Sequence, residues 1–347
     1  MTNSIRVLVT GAGSGVGQGI IKSLRASSLN LTILAADIHP LNSGLFRADE
    51  AIIIPKVENT GAKDSIVRIL IDNRIDVLMI GSEFDLIFFS ENREEIQRLT
   101  GALIVASDIE TVLIADDKWR TCCFLENNHL PYAQAFLPED ANTCKEFAAQ
   151  LGYPCVLKTR SGTSNRHVHI ISNEAELQLK YPQTPFPMLQ KLIATPSDVL
   201  QAEYTCSIFK CKDGSILGPF TARRTLRGGN SWHIEVDRFE GLEPLLLRIG
   251  ELLPIMGSLN VQLMVGKDGP VPFEFNARFS GTTAVRSYFG FNEPEMLIRN
   301  YFLGEKLTTP VIRKGIALRY LEEVFVDDVS TNTEDLISKR GKVMNWF

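Results

Sequence analysis

Short apolar runs alternate with amphipathic stretches through the first third of the chain. Residues 5–9, 31–36, 51–54, 77–80 and 103–105 are apolar runs of strand length, most of them closed by Gly, Asp or Pro. Between them, helical spacing puts Ile20, Ile21 and Leu24 on one face, and 65–72 and 86–99 carry the same period. Apolar strands separated by helices predict a parallel sheet with right-handed crossovers. The stretch up to about residue 110 is therefore expected to be a doubly wound α/β domain. The pattern then changes. Helical spacing over 116–127 and 139–151 is interleaved with strand patterns at 155–158, 167–171, 188–193, 203–209 and 215–221. Further helices are predicted over 242–256 and 294–302. Residues 261–265 and 271–276 alternate with a period of two around Lys267-Asp268-Gly269, which predicts a β-hairpin. A strand-like run at 316–325 is expected to pack back on the body, and no function is assigned to 342–347.

Composition narrows the class. A chain of 347 residues is comfortable for two or three domains. With 44% hydrophobic and 22% charged residues, it is neither a disordered, a collagen-like nor a disulfide-scaffold protein. A net charge of −5 argues against a general nucleic-acid binder. No uncharged apolar stretch is long enough to cross a bilayer, and residues 1–6 lead into a strand with no signal-peptide core. The six cysteines show no CxxC pair and no His at zinc spacing. They read as reduced thiols of a cytoplasmic protein.

The first glycine-rich segment is Thr10-Gly11-Ala12-Gly13-Ser14-Gly15-Val16-Gly17, with Asp37 ending the next strand. Glycines between a strand and a helix permit a tight turn and close approach to a phosphate. Val16 stands where the third glycine of GxGxxG belongs, but the T-G-x3-G-x-G form of short-chain dehydrogenases is present. An NAD(P)-dependent oxidoreductase therefore stays open as a competing function. Against it, no tyrosine has a Lys four residues later. The other reading is a turn that is glycine-rich for packing alone.

The hairpin carries the most chemistry. Strand alternation puts Glu274 and Asn276 on one face, Arg278 continues that direction, and Gln262 on the partner strand reaches the same side. A carboxylate and two amide carbonyls are hard oxygen ligands that suit Mg²⁺ shared with substrate phosphates. An adjacent Arg can neutralise a transferring phosphoryl group. A hairpin with one solvent-facing polar side would explain the alternation, but not this choice of residues followed by Ser280-Gly281-Thr282-Thr283.

Phe273-Glu274-Phe275-Asn276-Ala277-Arg278-Phe279-Ser280-Gly281 resembles the E-x-N-x-R metal signature of the ATP-grasp superfamily, and within it the carbamoyl-phosphate-synthetase-like carboxylate–amine ligases. The resemblance covers about residues 1–305. Asp117-Lys118-Trp119 resembles the site of the first ATP lysine and Pro154-Cys155-Val156-Leu157-Lys158 the strand of the second. Leu189-Gln190-Lys191-Leu192-Ile193 resembles the hinge that holds adenine, and Glu203-Tyr204-Thr205 the strand whose Glu reaches the ribose. Two features depart from the family pattern. The phosphate-covering loop 159–167 has one glycine, so its backbone, Ser161 and either Arg160 or Arg166 are the candidate phosphate contacts. The stretch from Ile193 to Glu203 is also longer than the compact form. With no glutaminase domain and no second ATP-grasp copy in the sequence, a complete carbamoyl-phosphate synthetase is not expected.

The fold the resemblance implies is mixed α/β and α+β. A Rossmann-like pre-ATP-grasp domain is expected over 1–112, a small lid subdomain over 113–189, a large subdomain over 190–307 and a C-terminal strand and tail over 308–347. The implied activity is phosphorylation of a carboxylate by ATP with Mg²⁺ (or Mn²⁺), followed by coupling of the acyl phosphate to an amine. A carbamate- or bicarbonate-phosphorylating kinase and a non-catalytic nucleotide-binding module also stay open. Lys118, Lys158, Ser161, Gln190, Lys191, Ile193 and Glu203 are the implied nucleotide contacts, Gln262, Glu274 and Asn276 the metal ligands, and Arg278 and Arg224 the catalytic arginines. The basic segment 221–233 reads as a loop between strand and helix that faces the acyl-phosphate site. Its Arg223, Arg227 and His233 join Ser280, Gly281 and Thr282 as substrate candidates. Salt bridges to Glu235 and Asp237 are the bland reading of that segment. Glu83 and Asp85, at a strand end of the first domain, are candidates to hold an amine, although helix capping explains them equally well. The expected partners are a small carboxylate and an amine, with a homodimer as a candidate assembly.

Overall fold

The computed structural model describes residues 4–162, 167–194, 203–330 and 332–343. The N-terminal sheet is parallel, in the order β3-β2-β1-β4-β5. Its strands are β1 (Ile5–Val9), β2 (Leu31–Asp37), β3 (Glu50–Ile53), β4 (Val77–Met79) and β5 (Leu103–Val105). Helices α1 (Gly15–Arg25), α2 (Ala62–Asp72) and α3 (Glu83–Thr100) make the crossovers. The central strand is buried on both faces, as the unbroken apolar run Val7-Leu8-Val9 requires.

Two helices follow, α4 (Ile109–Asp116) and α5 (Lys118–Asn127). The hydrophobic pattern predicts a loop before one helix starting at 116. The observed break falls at Asp117, whose carboxylate caps α5 by accepting from the Trp119 N–H at 2.9 Å. Helix α4 is apolar and β-branched on most sides, so it carries no polar face for a helical period to reveal.

A four-stranded antiparallel sheet, β6-β9-β7-β8, forms the next body. It comprises β6 (Ala135–Phe136), β7 (Cys155–Thr159), β8 (Val168–Ile171) and β9 (Pro187–Lys191), packed on α6 (Ala141–Leu151) and α7 (Glu174–Lys180). Its small core includes Cys144, Leu157, Leu177 and Leu189.

The third body is a seven-stranded sheet in the order β15-β14-β10-β12-β13-β16, with β11 also pairing β10. The strands are β10 (Glu203–Lys210), β11 (Ile216–Phe220), β12 (Ala222–Arg227), β13 (Asn230–Val236), β14 (Gly257–Gly266), β15 (Gly269–Asn276) and β16 (Gly315–Leu318). Helix α8 (Glu243–Leu252) and the short α9 (Thr283–Tyr288) and α10 (Glu293–Leu297) flank it, and α10 runs into a π turn over Ile298–Phe302. Residues 221–233, expected to be a loop, are instead the β12–β13 hairpin. The strand expected over 316–325 stops at Leu318. Beyond it Phe325 bridges to Lys342, and α11 (Thr333–Ser338) sends Leu336 into the core of the N-terminal sheet.

One buried cluster fixes the loop that follows β15. Arg286 and Glu293 are both wholly buried and pair at 3.1 Å. Glu293 also accepts from Ser207 and Ser258, each at 2.5 Å, and Arg286 donates to Asn260. The cluster ties α9 and α10 to β10 and β14 directly behind the polar face of the hairpin.

Candidate active site

The hairpin forms with Gln262 opposite Glu274 and Asn260 opposite Asn276. A bulge at Gln262/Leu263 sits between the cleft-facing pair and the turn. The polar side chains then make one continuous chain. Glu203 accepts a forked contact from Arg224, with Nε at 3.0 Å, and Arg224 also donates to Gln262 Oε1 at 2.8 Å. Gln262 donates to Glu274 at 2.9 Å, and Asn276 donates to the same Glu274 oxygen at 3.2 Å. Asn276 Oδ1 accepts from Arg278 at 2.8 Å. Arg278 closes the chain on Glu83 of the N-terminal domain and on the Phe279 carbonyl. Burial, with the nearby Arg286 charge, pushes Arg278 down to about 10, which still leaves it cationic at neutral pH.

Lys118 opens α5 with its side chain buried, and its ammonium donates to the Gly162 carbonyl at 3.3 Å. Lys158 ends the apolar part of β7. Its ammonium donates to Gln190 at 2.8 Å and lies 5.9 Å from the Phe273 ring centre. Burial, then the Lys118 charge, pushes it down to about 8. Gln190 holds the inner end of β9, donating to the Ala133 carbonyl and the Cys122 sulfur. The same burial pushes the Cys122 thiol up to about 11, so it is not a nucleophile. All six cysteines are free. The β9 backbone is committed to the sheet as far as Lys191, whose N–H donates to the Gln134 carbonyl, and Ile193 lies beyond the strand.

These groups meet in a cavity of about 290 Å³ between the bodies. Lys118, Arg224, Gln262, Glu274, Asn276, Arg278, Ser280 and Gly281 line it from the C-terminal side. The Ser14-Gly15-Val16 turn and Gly81-Ser82-Glu83 line it from the N-terminal side. Lys158, Gln190 and Glu203 are outside that lining; Glu203 is joined to it through Arg224, whereas Lys158 and Gln190 are held by each other and by Phe273, Ala133 and Cys122. Thr282 is buried against Ser280, hydroxyl to hydroxyl at 2.8 Å. Ser161 is exposed outside the lining. Arg160 pairs with the capping Asp117. Arg166, with the rest of 163–166, lies outside the described residues.

The basic segment divides by strand alternation. Arg224 faces the cleft. Arg223 turns to Glu235 at 2.6 Å and to the Phe239 ring, Arg227 stacks on Trp232 at 4.8 Å, and His233 is exposed. None of these three lines the cavity. On the other side, Asp85 is buried behind Glu83, and burial raises its carboxyl to about 6.

Packing accounts for the glycine-rich turn. A Cβ on Gly17 would lie 2.2 Å from the Gly11 carbonyl oxygen, and one on Gly44 would lie 1.9 Å from that of Ala12. Asp37, where a dinucleotide fold needs a free ribose acceptor, is buried. It already accepts from the Gly13, Ile38 and His39 N–H groups and from Asn42.

Arg319 and Asn230 also line the cavity, and the sequence pattern did not single them out. Arg319 follows the apolar strand β16, and a lone Arg ending such a run was the available signal.

Among known proteins, residues 115–282 match a family described as an ATP-grasp domain, and residues 7–104 match one described as PylC-like, N-terminal domain. The fold is similar to N5-carboxyaminoimidazole synthetase from Staphylococcus aureus, solved with ADP, at a TM-score of 0.73 and 14% identity over 92% of this chain and 83% of that one. It is also similar to the biotin carboxylase domain dimer of Hydrogenobacter thermophilus 2-oxoglutarate carboxylase, solved with MgADP and bicarbonate, at a TM-score of 0.73 and 17% identity over 99% and 83% of the chains. A third similar structure is the Aspergillus clavatus N5-carboxyaminoimidazole synthase with ADP and 5-aminoimidazole ribonucleotide, at a TM-score of 0.70 and 16% identity over 92% and 82%. Among the described residues, no helix is long and apolar enough to cross a membrane.

Proposed function

The chain belongs to the ATP-grasp superfamily, and from that premise we propose that it is an ATP-dependent ligase that phosphorylates a carboxylate and couples the acyl phosphate to an amine, releasing ADP and phosphate. The observation that carries this reading is the convergence of Lys118, Glu274, Asn276 and Arg278 on one cavity at the junction of the bodies. Lys158 neutralises phosphate oxygens of ATP from the four-stranded sheet, and Lys118 does so from the start of α5. The chain past Lys191, with Ile193, meets the adenine edge, and Glu203 serves the ribose.

The residues also fit a divalent cation. Both hydrogen bonds to Glu274 fall on Oε1, and Oε2 has no protein donor among the described residues. Glu274, Asn276 and Gln262 form a hard-oxygen set suited to Mg²⁺ or Mn²⁺, which offsets phosphate charge when bound.

Arg278 is held from three sides, so its guanidinium is preorganised for negative charge that develops on the transferring phosphoryl group. The acid's carboxylate oxygen attacks the γ-phosphorus and ADP leaves. The amine then attacks the acyl carbon and phosphate leaves. Neither step needs a protein nucleophile. The small carboxylate and amine are this chain's proposed partners, and the dimer in a similar structure makes a homodimer the assembly to test first.

The test is ADP release from Mg·ATP with a panel of carboxylates, hydroxylamine being added to capture any acyl phosphate as a hydroxamate. Acid-dependent hydroxamate is expected. Calorimetry should show binding of Mg·ATP and none of NADPH. NADPH binding without ATP binding would overturn the proposal.

A further inference from the structure

A second cavity of about 680 Å³ lies beside the first, between α1, β13 and the extended chain after β16. The two share Gly15, Asn230, Gly281 and Arg319 in their walls, so they meet at a neck. We propose that this cavity is the binding site of the amine substrate, and that the amine carries an anionic group, carboxylate or phosphate, remote from its nucleophilic nitrogen. The inference rests on the ligase reading above.

The first argument is charge. Lys22, Arg25, Arg47 and Arg319 line the cavity against a single acid, Glu322. Arg25 is committed to Asp49 at 2.7 Å, and Arg47 lies 3.8 Å from Glu322. Lys22 and Arg319 have no carboxylate partner among the described residues. Arg319 is the more telling of the two. Its guanidinium is half-buried, enough to push it below its ordinary range, yet among the described residues its side chain's one acceptor is the Gly281 carbonyl at 2.7 Å. Its other N–H donors have no protein acceptor among the described residues and lie in the walls of both cavities, where an anion can take them up in charge-assisted hydrogen bonds.

The second argument is direction. Lys158 and the β9 hinge approach the reaction cavity from the four-stranded sheet, which gives the nucleotide that side. The acid must present its carboxylate to the terminal phosphate within the first cavity. The side left for the nucleophile is the neck. Beyond it, Ile21, Ala284, Val285 and Trp232 give the larger cavity an apolar wall. That wall fits an organic body longer than ammonia, whereas a cavity for ammonia alone would need neither the volume nor the cations. In the coupling step the amine nitrogen enters with its lone pair free and attacks the acyl carbon. A C–N bond forms, and the C–O bond to phosphate breaks with its electron pair going to phosphate. The nitrogen's surplus proton passes to that phosphate.

The test uses the full chain with Mg·ATP and an acid panel of bicarbonate, the straight-chain carboxylates from acetate to hexanoate, and amino acids. Hydroxylamine, 6-aminohexanoate, O-phosphoethanolamine and the neutral amines hexylamine and ethanolamine are the nucleophiles. Anionic amines should couple with a KM about tenfold below their neutral counterparts, as one charge-assisted contact implies. The more effective of the two anionic amines names the group. Lys22→Glu, on an exposed helix position, should raise the anionic amine's KM by about tenfold, with no such rise for ATP or for neutral hydroxylamine. It should also turn the preference towards 1,6-diaminohexane. If no acid gives hydroxamate in the wild type, the ligase reading falls and this inference with it. If hydroxamate forms but anionic and neutral amines compete equally, the inference alone is overturned. It is equally overturned if Lys22→Glu raises the acid's KM instead, since the cavity then holds the tail of the acid.

Discussion

At the scale of single residues, the site combines groups whose chemistry is set by their own side chains with groups whose role depends on their neighbours. Lys158 belongs to the second kind. It was legible as a lysine ending an apolar strand, but its titration follows from burial and from Lys118, which only the fold supplies. Its ammonium is present in the free protein below about pH 8 and is lost above it. A bound phosphate favours the charged form and raises its pKa. ATP binding should therefore take up a proton once the pH passes that value, and take up little near pH 7. Affinity should fall by at most about tenfold per pH unit above 8, and Lys158→Met should abolish that dependence. Calorimetry at about pH 9 in buffers of different ionisation enthalpy reads the uptake directly. Binding there with no proton uptake would remove Lys158 from the phosphate site. Arg224 shows the limit of reading residues singly. The sequence offered it as a carboxylate binder, but its donors are spread over Glu203, Gln262 and Ser231. A contact to substrate would be added to that set, and its immediate effect is to hold Glu203 and Gln262 in one frame.

At the scale of elements, legibility followed the hydrophobic period. The β14–β15 hairpin and the five parallel strands show because one face, or both, is apolar. The β12–β13 hairpin does not show, since its cleft-facing positions are polar, among them Arg224 and Ser231. Alternation of charge with charge carries no period that hydropathy detects. The same reason hides the cluster behind the hairpin. By residue type alone Arg286 and Glu293 belong at a surface, yet both are wholly buried. Breaking one half of such a pair leaves the other charge uncompensated. Arg286→Leu should therefore destabilise the protein by about 3–5 kcal/mol, measured by denaturant unfolding. Exposed Arg248, paired with Glu251 at the surface, gives the comparison: Arg248→Leu should cost about 0–1 kcal/mol. Equal losses in the two variants would mean that the buried pair does not lock α9 and α10 to the sheet.

At the scale of the whole molecule, the three bodies are not equal partners. The largest core is continuous from Val7, Val9 and Ile33 of the N-terminal sheet to Ile234, Phe291 and Leu297 of the C-terminal body, and Leu336 of α11 joins it from the far end of the chain. The reaction cavity lies over this join, so Glu83 and Arg278 are held in register by the core that stabilises both bodies. Among the described residues, the four-stranded sheet has its own cluster of only seven buried residues, Cys144, Ala148, Cys155, Leu157, Ile171, Leu177 and Leu189. So small a core supports less stability than the shared one. Backbone amides of β7 and β9 should therefore exchange through a local opening well below the free energy of global unfolding. Amides of β1 and β10 should exchange only with global unfolding. Mg·ATP would bridge Lys158 on the four-stranded sheet to Lys118, Glu274 and Arg278 on the larger body. Saturating nucleotide should then slow exchange in β7 and β9 by roughly the linkage factor, about 100-fold at a concentration 100 times the Kd. The amides of β1 and β10 should be slowed by the same factor, because global unfolding also releases the nucleotide. Hydrogen exchange resolved by segment, with and without nucleotide, makes the comparison. Protection of β7 equal to that of β10 in the free protein would show that the lid is no separate unit and that the site opens by some other motion.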